Sequence, residues 1–145
     1  METAGTAMKA VVDTNVIAYL LLGTAPFAAA ARRCFESTTE RLAPAHWEAE
    51  LDNVLWQPVR AGVLPPAEAR PRLHLATQLG IETVPTQSLA SAALVRSIAS
   101  GISVYDTLFV ELAQREQCPL LTFDRALLRQ FPSIAASPAS LQTGS

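Results

Sequence analysis

The sequence is poor in cysteine, in aromatic residues and in charge. Cys34 and Cys118 are the only cysteines in 145 residues, and they do not form a C-x-x-C spacing, so a zinc site is not expected. Two lone thiols suit a reducing cytoplasm, where both simply pack. Charged residues make up 17% of the chain, below the ~25% of average domains, whereas 50% of the residues are hydrophobic. This balance excludes an intrinsically disordered chain, which combines low hydrophobicity with high net charge.

Long hydrophobic runs and strong charge of one sign are also lacking. The uncharged stretch at residues 16–31 is too short to span a bilayer and is interrupted by Gly23 and Pro26. The first seven residues have neither a basic nor an apolar segment, so no secretory signal is expected. The formal net charge of −2 does not mark the whole chain as a nucleic-acid binder. We therefore expect a cytoplasmic protein without a membrane partner.

The length corresponds to one domain, since domains cluster around ~100–150 residues. No internal repeat, low-complexity tract or Gly/Ser-rich linker divides the chain. We expect a flexible N-terminal extension at residues 1–7, a single domain at 8–136 and a C-terminal tail at 137–145.

Short apolar strands alternate with helices along this domain. The strands are predicted at residues 9–13, 41–44, 81–84, 119–122 and 133–136, and the helices at 14–22, 26–38, 45–61, 65–79, 86–99, 103–117 and 124–131. Such alternation is typical of a parallel sheet that is covered on both faces. The predicted fold class is therefore α/β: a three-layer sandwich whose central, mostly parallel sheet has about four or five short strands flanked by helices.

Acidic residues stand where two of these strands end. Asp13 ends the first strand, and Asp124 follows the strand at 119–122. Functional sites of open α/β sheets lie outside the carboxyl ends of the strands, so both carboxylates are expected at the same edge. Each also has a structural explanation, because Asp13 and Asp124 can cap helices, and Asp106 has capping-box spacing to Ser103.

The helix at 45–61 carries two further candidates. Its apolar face repeats at i, i+4, i+7 and i+8 from Trp47. Glu48 and Glu50 lie on opposite shoulders of that face, with Asn53 on the Glu50 side. Helical periodicity therefore allows either glutamate to point into a cleft and does not choose between them.

Four ordered segments resemble a known family. Residues 11–18, 43–55, 104–113 and 119–127 are similar to the PIN-domain nucleases, in particular to the toxins of bacterial VapBC-type toxin–antitoxin pairs. The resemblance extends from about residue 8 to residue 136. The family's acidic helix residue precedes an asparagine by three positions, which implies Glu50 and leaves Glu48 as a surface charge.

The resemblance implies an endoribonuclease that leaves 5′-phosphate and 3′-hydroxyl ends. Its catalytic acids would be Asp13, Glu50, Asp106 and Asp124. Asp13 and Asp106 would hold Mg²⁺, with Mn²⁺ as a substitute, since hard cations prefer carboxylate oxygens. Glu50 and Asp124 would complete the acidic pocket and orient water, and either could act as general base. Crowding of these carboxylates is expected to raise the pKa of at least one of them.

Other residues are given supporting or structural roles. Thr14, Asn15 and Thr122 are expected to be hydrogen-bond partners of the acids, whereas His46 and His74 are expected at the surface or its boundary. When the four acids are set aside, the rest of the chain has nine acidic and eleven basic residues. Basic side chains could therefore bind the phosphate backbone, and the candidates are Arg32, Arg33, Arg41, Arg125 and Arg129.

The resemblance also implies protein partners: an antitoxin whose tail could occupy the cleft, and a second copy in a homodimer. Apolar surface at residues 28–35 or in the helix from Pro65 could serve such contacts, although core packing explains these positions as well.

Other functions fit the sequence less well. A haloacid-dehalogenase-like phosphatase needs a second aspartate two residues after Asp13, where the chain has Asn15. A response-regulator receiver needs a late lysine, and the only lysine is Lys9. Two alternatives remain: an RNA-processing nuclease that is not a toxin, and an inactive PIN-like interaction module.

Overall fold

A computed structural model describes residues 8–141 as a five-stranded parallel sheet flanked by helices. The expected extension at 1–7 and the last residues of the expected tail, 142–145, lie outside the described residues. The strands are β1 (Lys9–Val12), β2 (Glu40–Pro44), β3 (Ile81–Val84), β4 (Leu120–Leu121) and β5 (Ala135–Ala136). Their order in the sheet is β3-β2-β1-β4-β5, and every neighbouring pair is parallel. The predicted α/β fold class is thus confirmed.

Seven α-helices surround the sheet in the described part of the chain. They are α1 (Thr14–Leu22), α2 (Phe27–Ser37), α3 (Trp47–Arg60), α4 (Pro66–Ala76), α5 (Ala90–Ser100), α6 (Val104–Glu116) and α7 (Arg125–Gln130). The helix predicted over 86–99 begins instead as a 3₁₀ turn at Thr86–Ser88, a frequent start of α-helices. The other boundaries differ from prediction by a few residues, as helix ends commonly do.

The core lies on both faces of the central strand β1. Ala10, Val11 and Val12 are fully buried although successive side chains of a strand point to opposite faces. Helix α6 packs on β1, β2 and β4 through its buried segment around Phe109, while α1 packs against α2, α3 and α4. Burial on both faces explains why β1 is a continuous apolar run rather than an alternating one.

The strand order places a crevice beside β1. From β1 the chain proceeds to β2 and β3 on one side, and it then crosses to β4 on the other side. The segments that leave β1 and β4 therefore diverge at the carboxyl edge of the sheet. This is the topological switch point at which open α/β sheets bind their ligands.

Two segments with expected peripheral roles contribute to packing. In α2, Ala30, Ala31 and Cys34 are buried, so core packing accounts for much of the apolar surface expected at 28–35. Beyond β5, a 3₁₀ turn at Pro138–Ser140 packs against α2 and buries Pro138. Among the described residues, no single helix combines the length and apolarity needed to cross a membrane.

Candidate active site

Four carboxylates from four separate segments line one cavity at the carboxyl edge of the sheet. Asp13 follows β1, Glu50 lies in the first turn of α3, Asp106 in the first turn of α6, and Asp124 precedes α7. The cavity has a volume of about 380 Å³. Its complete lining is Asp13, Thr14, Asn15, Ala18, Tyr19, Leu22, Glu50, Asn53, Val54, Asp106 and Asp124.

Asp13 is the most buried of these acids, with 6% of its surface exposed. It precedes α1 but makes no side-chain capping hydrogen bond. Instead, the Thr122 hydroxyl donates to its Oδ2 atom at 2.7 Å. The pKa of Asp13 is raised to about 7, chiefly by burial and also by the charges of Asp106 and Glu50, against the opposing effect of the Thr122 hydrogen bond. The expected raised pKa is therefore found, with burial as its main cause.

The structure distinguishes the two glutamates of α3. Glu50 lines the cavity and accepts a hydrogen bond at Oε1 from the Thr14 hydroxyl, 2.8 Å away. Glu48 is exposed and does not line the acidic cavity. Because Thr14 begins α1 directly after Asp13, this hydrogen bond connects the β1 end of the site to α3.

Asp106, like Asp13, is partly removed from solvent and lies near other carboxylates. Burial raises its pKa, and the nearby charges of Asp124 and Glu50 add to the effect. The Ser103 hydroxyl approaches its Oδ2 at 3.4 Å, a long hydrogen bond. Ser103 itself makes no side-chain capping bond, so the reciprocal capping box suggested by the spacing does not form.

Asp124 does cap its helix. Its Oδ1 atom accepts a hydrogen bond from the Leu127 backbone amide at 3.0 Å, so the structural explanation applies to this acid. The same residue lines the cavity. Its cap fixes the orientation of the carboxylate at the edge of the site.

Thr122 and Asn15 connect the loop that follows β4 to the start of α1. Besides donating to Asp13, the Thr122 hydroxyl accepts from the Asp124 backbone amide at 2.9 Å and from the Asn15 side chain at 3.4 Å. The Asn15 side-chain oxygen, Oδ1, accepts from the Phe123 backbone amide at 3.3 Å. These bonds hold the loop after β4 against the start of α1.

Comparison with known proteins identifies the family. The PIN domain model matches residues 10–132, which includes all four acids of the cavity. The chain belongs to the PIN-domain family. A curated relative, Ribonuclease VapC3 of Mycobacterium tuberculosis, is 33% identical over 128 residues, covering 88% of this chain and 91% of that protein.

Solved structures share the PIN fold seen here. The crystal structure of PAE2754 from Pyrobaculum aerophilum has a TM-score of 0.71 at 19% identity, covering 91% of this chain and 87% of that one. A toxin–antitoxin complex from Klebsiella pneumoniae has a TM-score of 0.63 at 18% identity, covering 90% and 98% of the two chains. At these identities the likeness is one of fold.

A histidine of this PIN domain lies closer to the acids than its sequence pattern indicated. His46 is half-buried, as expected for a boundary residue, and its Nε2 atom donates to the Tyr105 carbonyl at 2.8 Å. The same atom lies 3.7 Å from Glu50 Oε1. The i, i+4 spacing to Glu50 was the one available signal, because it places both residues on one helix face. His74 is exposed on α4.

The candidate phosphate-binding arginines of the PIN domain are dispersed. Arg41 is the second residue of β2, toward the end opposite the carboxyl edge, and donates to the carbonyls of Thr38 and Leu79. Arg125 is exposed and directly follows Asp124. The remaining candidates lie on α2 and α7: Arg32, Arg33 and Arg129.

The donor set of the PIN-domain cavity suits a hard divalent cation. Its carboxylates are oxygen donors, and burial together with neighbouring negative charge raises the pKa of Asp13 and Asp106, so a bound cation would favour their ionised forms. Within residues 8–141, no three His, Cys, Asp or Glu side chains lie close enough together to ligate one ion directly. Mg²⁺ does not require such a set, since one or two carboxylates commonly hold it together with water and substrate phosphate.

Proposed function

We propose that this PIN domain is a Mg²⁺-dependent endoribonuclease and the toxin of a type II toxin–antitoxin pair. The observation that carries the proposal is the convergence of Asp13, Glu50, Asp106 and Asp124 on one cavity. Like charges repel, so folding brings such groups together at a cost that a functional ligand offsets. The name of the relative, Ribonuclease VapC3, supports RNA as the substrate.

Asp13 and Asp106 are the residues proposed to hold the metal. Burial and neighbouring carboxylates disfavour their ionised forms without a cation, which makes them the acids most affected by metal binding. Mg²⁺, or Mn²⁺ in its place, would supply charge neutralisation for the phosphate and activation of water. The Thr122 hydroxyl keeps Asp13 oriented for this role.

Glu50 and Asp124 are proposed to orient the attacking water, and either accepts its proton as general base. The Thr14 hydroxyl fixes one oxygen of Glu50, and the α7 cap fixes one oxygen of Asp124. Preorganised carboxylates lose little freedom in the transition state, which favours in-line attack on the phosphorus. Cleavage of the bond to the 3′ oxygen then leaves a 3′-hydroxyl and a 5′-phosphate end.

A cognate antitoxin and a second copy of the chain are the proposed protein partners. The toxin–antitoxin complex among the structural neighbours supports the first. Leu94, Val95 and Ile98 support the second, because they form an exposed apolar strip on α5, with 52%, 64% and 76% exposure. The proposed RNA substrate implies a cytoplasmic location.

Cleavage of labelled cellular RNA by the purified protein tests the enzymatic proposal. We expect cleavage with Mg²⁺ or Mn²⁺ and none with EDTA. Asp13→Asn and Asp106→Asn should each lose at least about a hundredfold in rate, in line with loss of metal-assisted catalysis. Glu48→Gln is the matched control, since it removes an exposed carboxylate of α3 outside the cavity, and it should retain full activity.

Three results would contradict parts of this proposal. Activity that survives both EDTA and Asp13→Asn would reject the acidic site. A folded wild-type protein that binds the antitoxin but cleaves no RNA would indicate an interaction module. Cleavage without growth arrest on expression, and without an antitoxin gene beside this one, would indicate an RNA-processing nuclease.

A further inference from the structure

The cavity is lined by two chemically different sets of residues. Besides the carboxylates, Ala18, Tyr19, Leu22 and Val54 line the same space of about 380 Å³, and these four residues are called the apolar wall. Phosphodiester hydrolysis uses oxygen ligands, water and positive charge, and none of these interacts favourably with apolar surface. The apolar wall therefore suits a different part of the ligand.

The ring of Tyr19 is held in a defined position by two other aromatic side chains. Its centroid lies 4.6 Å from that of Phe27, with an interplanar angle of 23°, and 5.4 Å from that of Phe123 in an edge-on arrangement at 71°. Such offset and edge-on geometries are the favourable ones for aromatic pairs. The ring is thus oriented before any ligand arrives.

This aromatic cluster is coupled to the carboxylates of the cavity. Phe123 stands between Thr122 and Asp124, and its backbone amide donates to Asn15. Tyr19 lies in α1, six residues after Asp13, which is about 1.7 helical turns. The position of the ring relative to the carboxylates is therefore set by the same segments that build the acidic site.

Solvent reaches the cluster, which distinguishes it from ordinary core packing. Tyr19 is half-buried and Phe27 is 38% exposed, whereas core residues such as Ile17 in the same helix are fully buried. A partly exposed aromatic ring that borders a polar cavity is available for contact with a flat, uncharged group.

We propose that Tyr19, with Leu22 and Val54, forms a nucleobase-binding subsite for the base adjacent to the scissile phosphate. This proposal rests on the proposed ribonuclease function and adds where the substrate's base lies. In single-stranded RNA a base is attached to the ribose that carries the phosphate, so a phosphate at the acids brings its base to the neighbouring wall. Proteins bind unpaired bases by stacking them on aromatic side chains.

Binding of small phosphates in the presence of Mg²⁺ tests the subsite, followed by NMR chemical-shift titration. Ribose 5-phosphate probes the phosphate site alone, and adenosine 5′- and 3′-monophosphate add a base on either side of the phosphate. We expect at least one of the nucleotides to bind about 5- to 150-fold more tightly than ribose 5-phosphate, the range for one stacked base.

Two variants of Tyr19 isolate the ring. Tyr19→Phe keeps the ring and should keep the nucleotide preference, while Tyr19→Leu keeps apolar volume and should lose most of it. Ribose 5-phosphate should bind equally to both variants and to the wild type. If Tyr19→Leu does not fold, nuclear Overhauser contacts between the Tyr19 ring and the adenine protons in the wild type provide the same information.

The outcomes separate this proposal from the proposed function. If ribose 5-phosphate and both nucleotides bind with equal affinity, the phosphate site stands and the nucleobase subsite is rejected. If none of the three binds in the presence of Mg²⁺, the acidic site does not accept phosphate, and both proposals fail. The subsite is also rejected if the nucleotide preference survives Tyr19→Leu and the wild type shows no contacts between the adenine and the Tyr19 ring. The base would then lie elsewhere.

Discussion

The protonation of Asp13 is coupled to the folding of the protein. Its pKa lies near 7 in the folded chain without metal, against an ordinary value of 3.8, first because the carboxyl is buried and then because Asp106 and Glu50 lie nearby. A raised acid pKa means that the folded state binds the proton more strongly than the unfolded chain does. The associated stabilisation is complete below about pH 4 and is lost as the pH rises through about 7.

Asp13→Asn should remove this dependence. Without metal, the variant's free energy of unfolding relative to the wild type should rise between pH 4 and pH 8 by up to about 4 kcal/mol, since one pKa unit corresponds to about 1.4 kcal/mol. Asn retains an oxygen that accepts from Thr122, so the packing is preserved. Urea unfolding in EDTA at several pH values measures the difference, and parallel curves for the two proteins would contradict the coupling.

His46 connects the helices that carry Glu50 and Asp106. Its Nε2 donates to the carbonyl of Tyr105, the residue before Asp106, and its ring packs edge-on against Phe109 at 5.0 Å. Among the described residues, the buried Nδ1 atom of His46 has no hydrogen-bond partner. The bond from Nε2 to Tyr105 is therefore the hydrogen bond that joins this side chain to α6. His46 is thus a positioning residue for the two acids.

Replacement of His46 should separate positioning from packing. His46→Leu removes the donor and should lower kcat about fivefold, the equivalent of one hydrogen bond of about 1 kcal/mol. His46→Gln has a donor at a similar reach and should restore most of the activity. Steady-state kinetics and thermal melts on both variants measure this, and equal kcat values for the Leu and Gln variants would leave His46 with a packing role alone.

At the level of elements, α7 depends on the same residue that contributes to the site. Asp124 accepts from the Leu127 amide, and α7 has only the short span Arg125–Gln130 in which to form its own hydrogen bonds. A short helix of this kind relies on its cap and on tertiary packing. Buried Leu127 supplies the packing.

Two substitutions of Asp124 should separate its role as a helix cap from its role in RNA cleavage. Asp124→Asn preserves the cap, because Asn is as good a capping residue, and should keep the stability while losing activity. Asp124→Ala should lose the activity and also about 1 kcal/mol of stability. Urea unfolding beside an RNA cleavage assay measures both effects. Full activity of the Asn variant would mean that Asp124 acts only as a cap.

Helix α3 shows how far local periodicity predicts a site. The apolar face with Trp47, Leu51 and Leu55 is buried as its spacing indicates. That face has two shoulders, and only the position of α1 decides which one borders the cavity, because Thr14 donates to Glu50 across the interface. The family resemblance, rather than the periodicity, pointed to the glutamate that lines the cavity.

For the whole molecule, metal binding should stabilise the fold. The four acids come together only when β1, α3, α6 and β4 pack, so the unfolded chain has no equivalent site. Mg²⁺ at about a hundred times its Kd should raise the free energy of unfolding by about 2.7 kcal/mol at pH 8. Thermal melts with and without Mg²⁺ measure the shift, with Glu48→Gln as the responsive control. An undiminished shift in Asp13→Asn would contradict the assigned metal ligands.

Much of the architecture was predictable because it is encoded in short segments. The apolar runs of β1 and β4, the Asp residues that follow them and the helical spacing between them predict a parallel sheet with acids at one edge, and this sheet is observed. The strand order was not predicted, since it depends on contacts between segments far apart in the chain.

Local pattern and long-range packing thus contribute different parts of this protein. Residue types and their spacing were sufficient for the α/β class and for a short set of acidic candidates. The shared cavity, the donation from His46 to Tyr105, the engagement of Arg41 away from the site and the aromatic wall around Tyr19 arise only when distant segments meet. Periodicity describes which face of an element is apolar, but burial, pKa and hydrogen-bond partners depend on what packs against that face.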